Sequence, residues 1–184
     1  RERVVKIYFL LGWTKIYIEK LCEFYSRLGS TKFTVIRHSN IYGPYDKYDL
    51  EKSHVLGATI TKVMTAKDNK VTVWGEGKEE RDLLYVSDLV DFVELVLDKQ
   101  DYVFDIFNLG LEQGISVRDL VKKIIEISGK NLNIHFDTAK PSIATKLVVD
   151  CSKAKKKFGW SQKITLDEGI KKTIDWYTMK IMNK

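Results

Sequence analysis

Phe33-Thr-Val-Ile-Arg37-His38-Ser39-Asn40-Ile-Tyr42, closed by Gly43-Pro44, changes character halfway along. Its first half is a short apolar, β-branched run without alternation, the pattern of a strand buried on both faces of a parallel sheet. Arg37, His38 and Asn40 follow at once. In an open α/β sheet the crevice beyond the carboxyl ends of the strands receives ligands, so polar side chains at that point face a ligand or else cap the strand by satisfying neighbouring backbone. Gly43-Pro44 then forces a turn.

Upstream, Ile18, Leu21, Cys22 and Tyr25 recur at three and four residues, which predicts an amphipathic helix over Thr14 to Leu28 ending at Gly29. Helix, turn and strand make half of a βαβ unit whose first strand is missing or displaced. The apolar run before it, Arg1 to Leu11, carries no cap and no periodicity that assigns it. Downstream, the polar and aromatic segment Tyr45 to Lys52 predicts an excursion over the crevice. Helices follow from Ser53 or His54 to Met64 and from Ser87 or Asp88 to Leu97, with strands at Val71 to Trp74, Leu83 to Val86 and Phe104 to Leu109. Ser116 and Asp119 read as a capping box opening a helix to Ile127, and Thr165 with Glu168 repeats the pattern for the last helix. Leu132 to Phe136 is a further short strand, Leu147 to Val149 an extended segment, and Ser152 to Phe158 a helix stopped at Gly159. Alternating helices and short strands without repeats describe an α/β protein with a later, smaller α/β lobe.

The 184 residues are enough to bury roughly two thirds of the unfolded surface. Hydrophobic content of 44% against 30% charged residues argues against disorder. No apolar run reaches a membrane-spanning length and no signal-peptide order opens the chain, so a cytoplasmic protein without membrane contact is expected. Cys22 and Cys151 are far apart, which excludes a disulfide scaffold and agrees with a reducing compartment. The net charge of +6 is spread among acids; the dense cluster of Lys153, Lys155, Lys156 and Lys157 reads as a solvated helix face, and no nucleic-acid partner is expected. His38, His54 and His135 are too scattered for a metal site.

No Gly-x-Gly-x-x-Gly opens a helix after a strand, and Gly75-x-Gly77 is too short and too acidic on its far side to hold a pyrophosphate. Either the chain is not a dinucleotide fold or it is the second part of one. Several side chains nonetheless carry usable chemistry. Lys15 is a solvated helix-end residue or a ligand to ribose hydroxyls. Arg81, between a bend and a strand, suits a bidentate phosphate contact or a structural pair with Asp82. Lys62 falls eight residues after His54, on roughly the same helix face, and can meet a phosphate while the imidazole works near a sugar or, equally, sit at the surface. Trp74 stacks on a ligand or belongs to the core.

Taken together, Arg37-His-Ser-Asn40-Ile-Tyr42-Gly43-Pro44, Ser53-His54-Val55, Val73-Trp74-Gly75-x-Gly77, Arg81-Asp-Leu-Leu-Tyr-Val-Ser-Asp88-Leu and Phe107-Asn108-Leu-Gly110 resemble the C-terminal part of an extended short-chain dehydrogenase/reductase. The resemblance runs from Gly12 to Tyr177. Within that group it is to NAD(P)-dependent nucleotide-sugar epimerases, dehydratases and reductases, with GDP-L-fucose synthase the nearest subtype. It implies the C-terminal portion of an NAD(P)-binding Rossmann fold, the Gly-rich N-terminal half being absent, with residues 1–50 a remnant of the Rossmann-type domain. Residues 51–184 would be mainly a nucleotide-sugar-binding lobe, with Rossmann elements interleaved around 83–110.

The same resemblance implies roles. Lys15 matches the lysine of a Tyr-x-x-x-Lys pair, catalytic and holding the nicotinamide ribose of NAD or NADP. His38 and Ser39 would lie near the nicotinamide and Asn40 near the substrate diphosphate. His54 matches a general acid of epimerisation. Val55, Lys62, Trp74 and Arg81 would shape the site for a nucleoside-diphosphate sugar, with Lys140 or Lys146 as late approaches to the nucleotide. Partners implied are that sugar nucleotide, the missing half of the same fold, and a second copy in a homodimer through a helix pair that includes Thr14 to Leu28. Two departures stand out. Leu11 occupies the place of the catalytic tyrosine, four residues before Lys15, with Tyr8 the nearest alternative, and the Gly-rich half with its pyrophosphate site has no counterpart here. The parent would act by hydride transfer at a sugar carbon; the alternative is a noncatalytic sugar-nucleotide-binding or assembly module.

Overall fold

The computed structural model describes residues 2–50, 52–140 and 146–183, with residues 2–11 as backbone. The Phe33–Tyr42 run forms two consecutive strands, β1 (Phe33–His38) and β2 (Asn40–Tyr42), divided at Ser39. β1 pairs in parallel with Phe104–Leu109, from Phe33 opposite Phe104 to His38 opposite Leu109, and the Ser39 amide adds one more bond to the Leu109 carbonyl at 2.7 Å. β2 then turns to a different parallel neighbour, Asn40 opposite Leu83 and Tyr42 opposite Tyr85. One extended run thus serves two sheets. β1 was expected to be buried on both faces, but its residues are half-buried at best, because among the described residues only one strand flanks it.

Before it lies helix α1 (Glu2–Tyr25), which continues upstream through the stretch the sequence left unassigned and stops at Tyr25, short of the expected Leu28. Ile18 and Tyr25, expected on its buried face, are exposed together with Trp13, Tyr17 and Phe24. Apolar and charged residues are mixed around the helix without a single apolar face, and a narrow sheet covers little of it.

After β2 the order is α2 (Val55–Met64), β3 (Lys70–Trp74), β4 (Glu80–Tyr85), α3 (Val86–Lys99), β5 (Phe104–Leu109), β6 (Gly114–Ser116) and α4 (Val117–Ser128). The chain closes with β7 (Asn133–Asp137), β8 (Lys146–Leu147), α5 (Ser152–Phe158), α6 (Leu166–Tyr177) and a π-helical turn, Thr178–Met182. β4 takes β2 on one side and β6 and β8 along its first half; β3 and β7 make a separate parallel pair. The short strands β2 and β6 escape periodicity because three residues do not show an alternation. Both expected helix starts are present. Thr165 and Glu168 make the full reciprocal box, whereas the Asp119 carboxylate meets the Ser116 hydroxyl instead of its amide, its side chain being one methylene shorter.

Two cores result. The first packs Leu56, Ile60 and Val63 of α2 and Leu120, Val121 and Ile124 of α4 over Val71, Val73 and Leu83, with Ile170, Ile174 and Tyr177 of α6 alongside. The second gathers Leu84, Phe92, Phe107, Leu109, Cys151 and Trp160. Its rings meet edge-on or tilted, Phe92 at 5.6 Å from Phe107 and 5.8 Å from Trp160, and each fully buried ring contributes about 1.5–3 kcal/mol.

Two buried carboxylates hold the loops to these cores. Asp82 accepts from the amides of Leu111 (2.7 Å), Glu112 (3.2 Å) and Val149 (3.2 Å). Asp88 accepts from the amides of Lys163 and Ile164, and its carbonyl takes the Trp160 indole. Both acids replace lost hydration with backbone donors, as buried charge requires. The lysines of α5 differ from the expected solvated face: Lys153, Lys155 and Lys157 pair with Asp105, Glu112 and Asp101, so that cluster is largely neutralised. Among the described residues no helix is long and apolar enough to cross a membrane.

Candidate functional site

Helix α2 has two faces. Leu56, Ile60 and Val63 enter the core, while Val55, Ala58, Thr59 and Lys62, spaced i, i+3, i+4 and i+7, line a cavity of about 320 Å³. Val71 to Trp74 of β3, Val117 and Val121 on α4, and Leu50, Ser53, Glu79 and Arg81 complete the lining. Val55, Lys62, Trp74 and Arg81, separated by up to 26 positions in sequence, are therefore brought around one space.

Their environments differ. The Lys62 ammonium donates to the Thr72 carbonyl at 3.1 Å and lies 5.6 Å from the centre of the Trp74 ring. Burial of that stem holds its pKa below the usual lysine range, since desolvation disfavours the cation. Trp74 is 55% exposed at the cavity rim, which answers the choice between core and ligand contact against the core. Lys140 reaches the same ring at 5.7 Å, whereas Lys146 pairs with Glu80 at 3.1 Å. Arg81 donates to the Glu80 carbonyl at 2.9 Å and turns into the cavity, while the adjacent Asp82, one pleat on, is spent on three backbone amides of the opposite face.

His54 is the residue before α2, exposed, with no side-chain bond to the helix start. It does not line the cavity, but Ser53 and Val55 on either side of it do. The loop leading there, expected as an excursion over the crevice, contributes Leu50 and Ser53 to the cavity. It is anchored on α2 and α6: Tyr48 stacks on Trp176 (5.6 Å) and meets Tyr177 edge-on (5.0 Å), its hydroxyl donates to the Gly43 carbonyl, and its own carbonyl accepts from Thr61. Gly57 permits this approach, because a Cβ there would come within 2.7 Å of the Lys47 carbonyl oxygen.

The remaining residues sit apart from the cavity. Asn40 donates to the Asp82 carbonyl at 3.0 Å, bracing β2 against β4. Arg37, expected at the crevice, donates side-on from Nε and Nη2 to the two carboxylate oxygens of Glu19 on α1, which holds the Glu19 carboxyl below its ordinary range. That pair indexes the helix against the strand. Lys15 lies four residues before Glu19 on α1, about 6 Å along the helix axis. His38 is exposed with Nδ1 2.8 Å from the Ser39 carbonyl oxygen, and the Ser39 hydroxyl is buried with no hydrogen-bond partner. The Leu11 backbone continues α1 one turn before Lys15; the side chains of Leu11 and Tyr8 lie outside the described residues.

Sequence reasoning missed Leu50, Thr59, Glu79, Val117 and Val121 of the cavity. The second stripe of α2 was a usable signal for Thr59, and the i, i+4 spacing of Val117 and Val121 for α4. Nothing local marks Leu50 or Glu79.

Known proteins resemble this chain in sequence and in fold. The chain is 32% identical over 167 residues to GDP-L-colitose synthase of Yersinia pseudotuberculosis, covering 89% of this chain and 54% of that protein. It is 34% identical over 149 residues to GDP-L-fucose synthase 1 of Arabidopsis thaliana, covering 79% and 46%. The crystal structure of a UDP-glucose 4-epimerase from Thermotoga maritima with UDP-glucose superposes with a TM-score of 0.77 at 30% identity, over 92% of this chain and 52% of that one. The chain thus spans about half the length of the curated relatives it matches. The profile of one family matches residues 11–110, more than half of the chain and the part that carries α2, β3, β4 and Arg81, and on that match the chain belongs to the NAD dependent epimerase/dehydratase family.

Proposed function

We propose that the parent protein binds NAD or NADP and a nucleoside-diphosphate sugar and alters the sugar by hydride transfer, in the manner of a GDP-L-fucose synthase. The observation that carries this reading is the convergence of Val55, Lys62, Trp74 and Arg81 on one cavity. Lys62 and Arg81 supply cations for the diphosphate, Trp74 a face for the nucleoside, and the valines a dry wall. His54, between the cavity residues Ser53 and Val55, would protonate a carbon next to a keto group, and Asn40, outside the cavity lining, would act only through the strand β4 that it braces.

The cofactor would supply the hydride acceptor or donor. The nicotinamide end would be met by Lys15 of α1 and by His38 and Ser39 at the β1 terminus, and the buried Ser39 hydroxyl without a hydrogen-bond partner supports this. The pyrophosphate turn belongs to a half of the fold outside this sequence, and residues 1–50 would complete that half while 51–184 hold the sugar nucleotide. The exposed apolar side chains of α1, Trp13, Tyr17 and Phe24 among them, suit a homodimer through that helix; sedimentation of a Tyr17→Lys variant as a smaller species than wild type checks it.

Leu11, one helical turn from Lys15, favours a second reading, a noncatalytic module that keeps the sugar-nucleotide lobe. Oxidation of NAD(P)H with a 4-keto nucleotide sugar separates the two. Turnover should be absent from the 184-residue chain and present when sequence upstream is added, and Leu11→Tyr in that longer protein should raise it. Equal rates with and without the added half sink the first reading, and sugar-nucleotide binding without dinucleotide binding by the longer protein favours the second.

A further inference from the structure

Glu79 is the one acid among the described residues that line the cavity, which otherwise offers Lys62, Arg81, Trp74 and valines. A carboxylate in a site built only for phosphates would oppose its own ligand. Its position is fixed by backbone: the Glu79 carbonyl accepts from the Val117 amide at 3.0 Å, which ties it to the valine wall of α4. Strand alternation in β4 sends Glu80 to Lys146 and Asp82 to the loop amides and leaves Arg81 on the cavity side; Glu79, just before the strand, lines the same cavity. Among the described residues the Glu79 carboxylate joins no ion pair, so its acceptor capacity is unspent.

A nucleoside diphosphate presents two chemistries to such a cavity. Its phosphates seek the cations, and its base seeks apolar walls with a polar partner at one edge. Guanine shows two adjacent donors, N1–H and the N2 amino group, which match the two oxygens of one carboxylate. Uracil offers a single N–H between two carbonyl oxygens, which a carboxylate repels.

We infer that Glu79, which lines the cavity and is tied by its backbone to Val117, is the specificity-determining residue of this cavity and selects guanine over uracil nucleotides by accepting from N1–H and N2–H. The inference rests on the nucleotide-sugar reading above and specifies the base.

Calorimetric titration of the chain with GDP, IDP and UDP tests it. Wild type should bind GDP at least about tenfold more tightly than UDP, with IDP between them, since each charge-assisted bond is worth roughly tenfold. Glu79→Gln should lose most of the GDP preference while UDP binding is unchanged or slightly stronger; Glu79→Ala should repeat this, and unchanged thermal midpoints show that both variants fold. Lys62→Met should weaken GDP and UDP alike. Equal wild-type affinities, or an equal fall or rise for both nucleotides in Glu79→Gln, overturn the role of Glu79 and leave the nucleotide-sugar reading in place. Binding of none of the three by wild type overturns both.

Discussion

The carboxylate of Asp82 faces Gly110 so closely that a Cβ on that glycine would lie 2.6 and 2.9 Å from its two oxygens and nearer still to the Val149 side chain. The space is needed because Asp82 takes amides from the loop after Gly110 and from Val149 at once. Gly110→Ala should therefore destabilise the fold by about 1–3 kcal/mol through overpacking, and by more if the carboxylate loses a donor. A lower urea midpoint with an unchanged slope checks it; a variant as stable as wild type would show that the loop can move aside.

Cys151 adjoins the same glycine, its sulfur 3.1 Å from the Gly110 amide nitrogen, and burial pushes its thiol up to about 11 from an ordinary 9.0. In the unfolded chain the thiol ionises first, so the folded state binds more protons and loses stability as pH rises from about 9 to about 11. Below that window the group has no effect on the pH dependence. Cys151→Ala should flatten this alkaline limb relative to wild type in urea midpoints measured at pH 8, 9.5 and 10.5. In the native protein at pH 8, Cys22 should react with a thiol reagent well before Cys151, which is buried.

Trp74 presents its ring at the rim beside two ammonium groups. Removing the ring in Trp74→Ala should cost about 1–3 kcal/mol of nucleotide binding, the range for stacking a base on an aromatic side chain, and Trp74→Phe should restore part of it. Stability should change little, because the side chain is more than half exposed. Titration with GDP, alongside thermal unfolding, separates the two effects.

Trp176 does not line the cavity, yet it holds Tyr48 and Tyr45, and with them the loop that delivers Leu50, Ser53 and His54. Trp176→Ala should weaken sugar-nucleotide binding several-fold, with Trp176→Phe recovering most of it. Loss of an aromatic contact is worth about 0.5–1.5 kcal/mol beyond buried area. An increase in trypsin cleavage at Lys47 or Lys52 in Trp176→Ala, reversed in the phenylalanine variant, would tie the effect to the loop; unchanged cleavage would argue against it.

The strands and helices with room for a period were legible: β5 and α5 coincide with the expected spans, and α2, β3 and α6 differ by a residue or two. What failed to show were features decided at a distance. The three-residue strands exist because β4 offers them hydrogen bonds, and α1 runs on to Glu2 through residues with no periodic signature. At the site, the nearness of Val55, Lys62, Trp74 and Arg81 followed from the motifs they belong to. The diversion of Arg37 to Glu19, 18 positions earlier, and the tethering of Tyr48 to Trp176 depend on packing between segments that local sequence does not connect.

The change of neighbour at Ser39 leaves the molecule without a seam. The same ten residues contribute Ile36 to the aromatic core and Tyr42 to the core beneath the cavity. A recombination breakpoint inside the run would hand each daughter a strand stripped of its other half, so the lobe that shapes the cavity is inherited together with the sheet that precedes it and is not an exchangeable cassette.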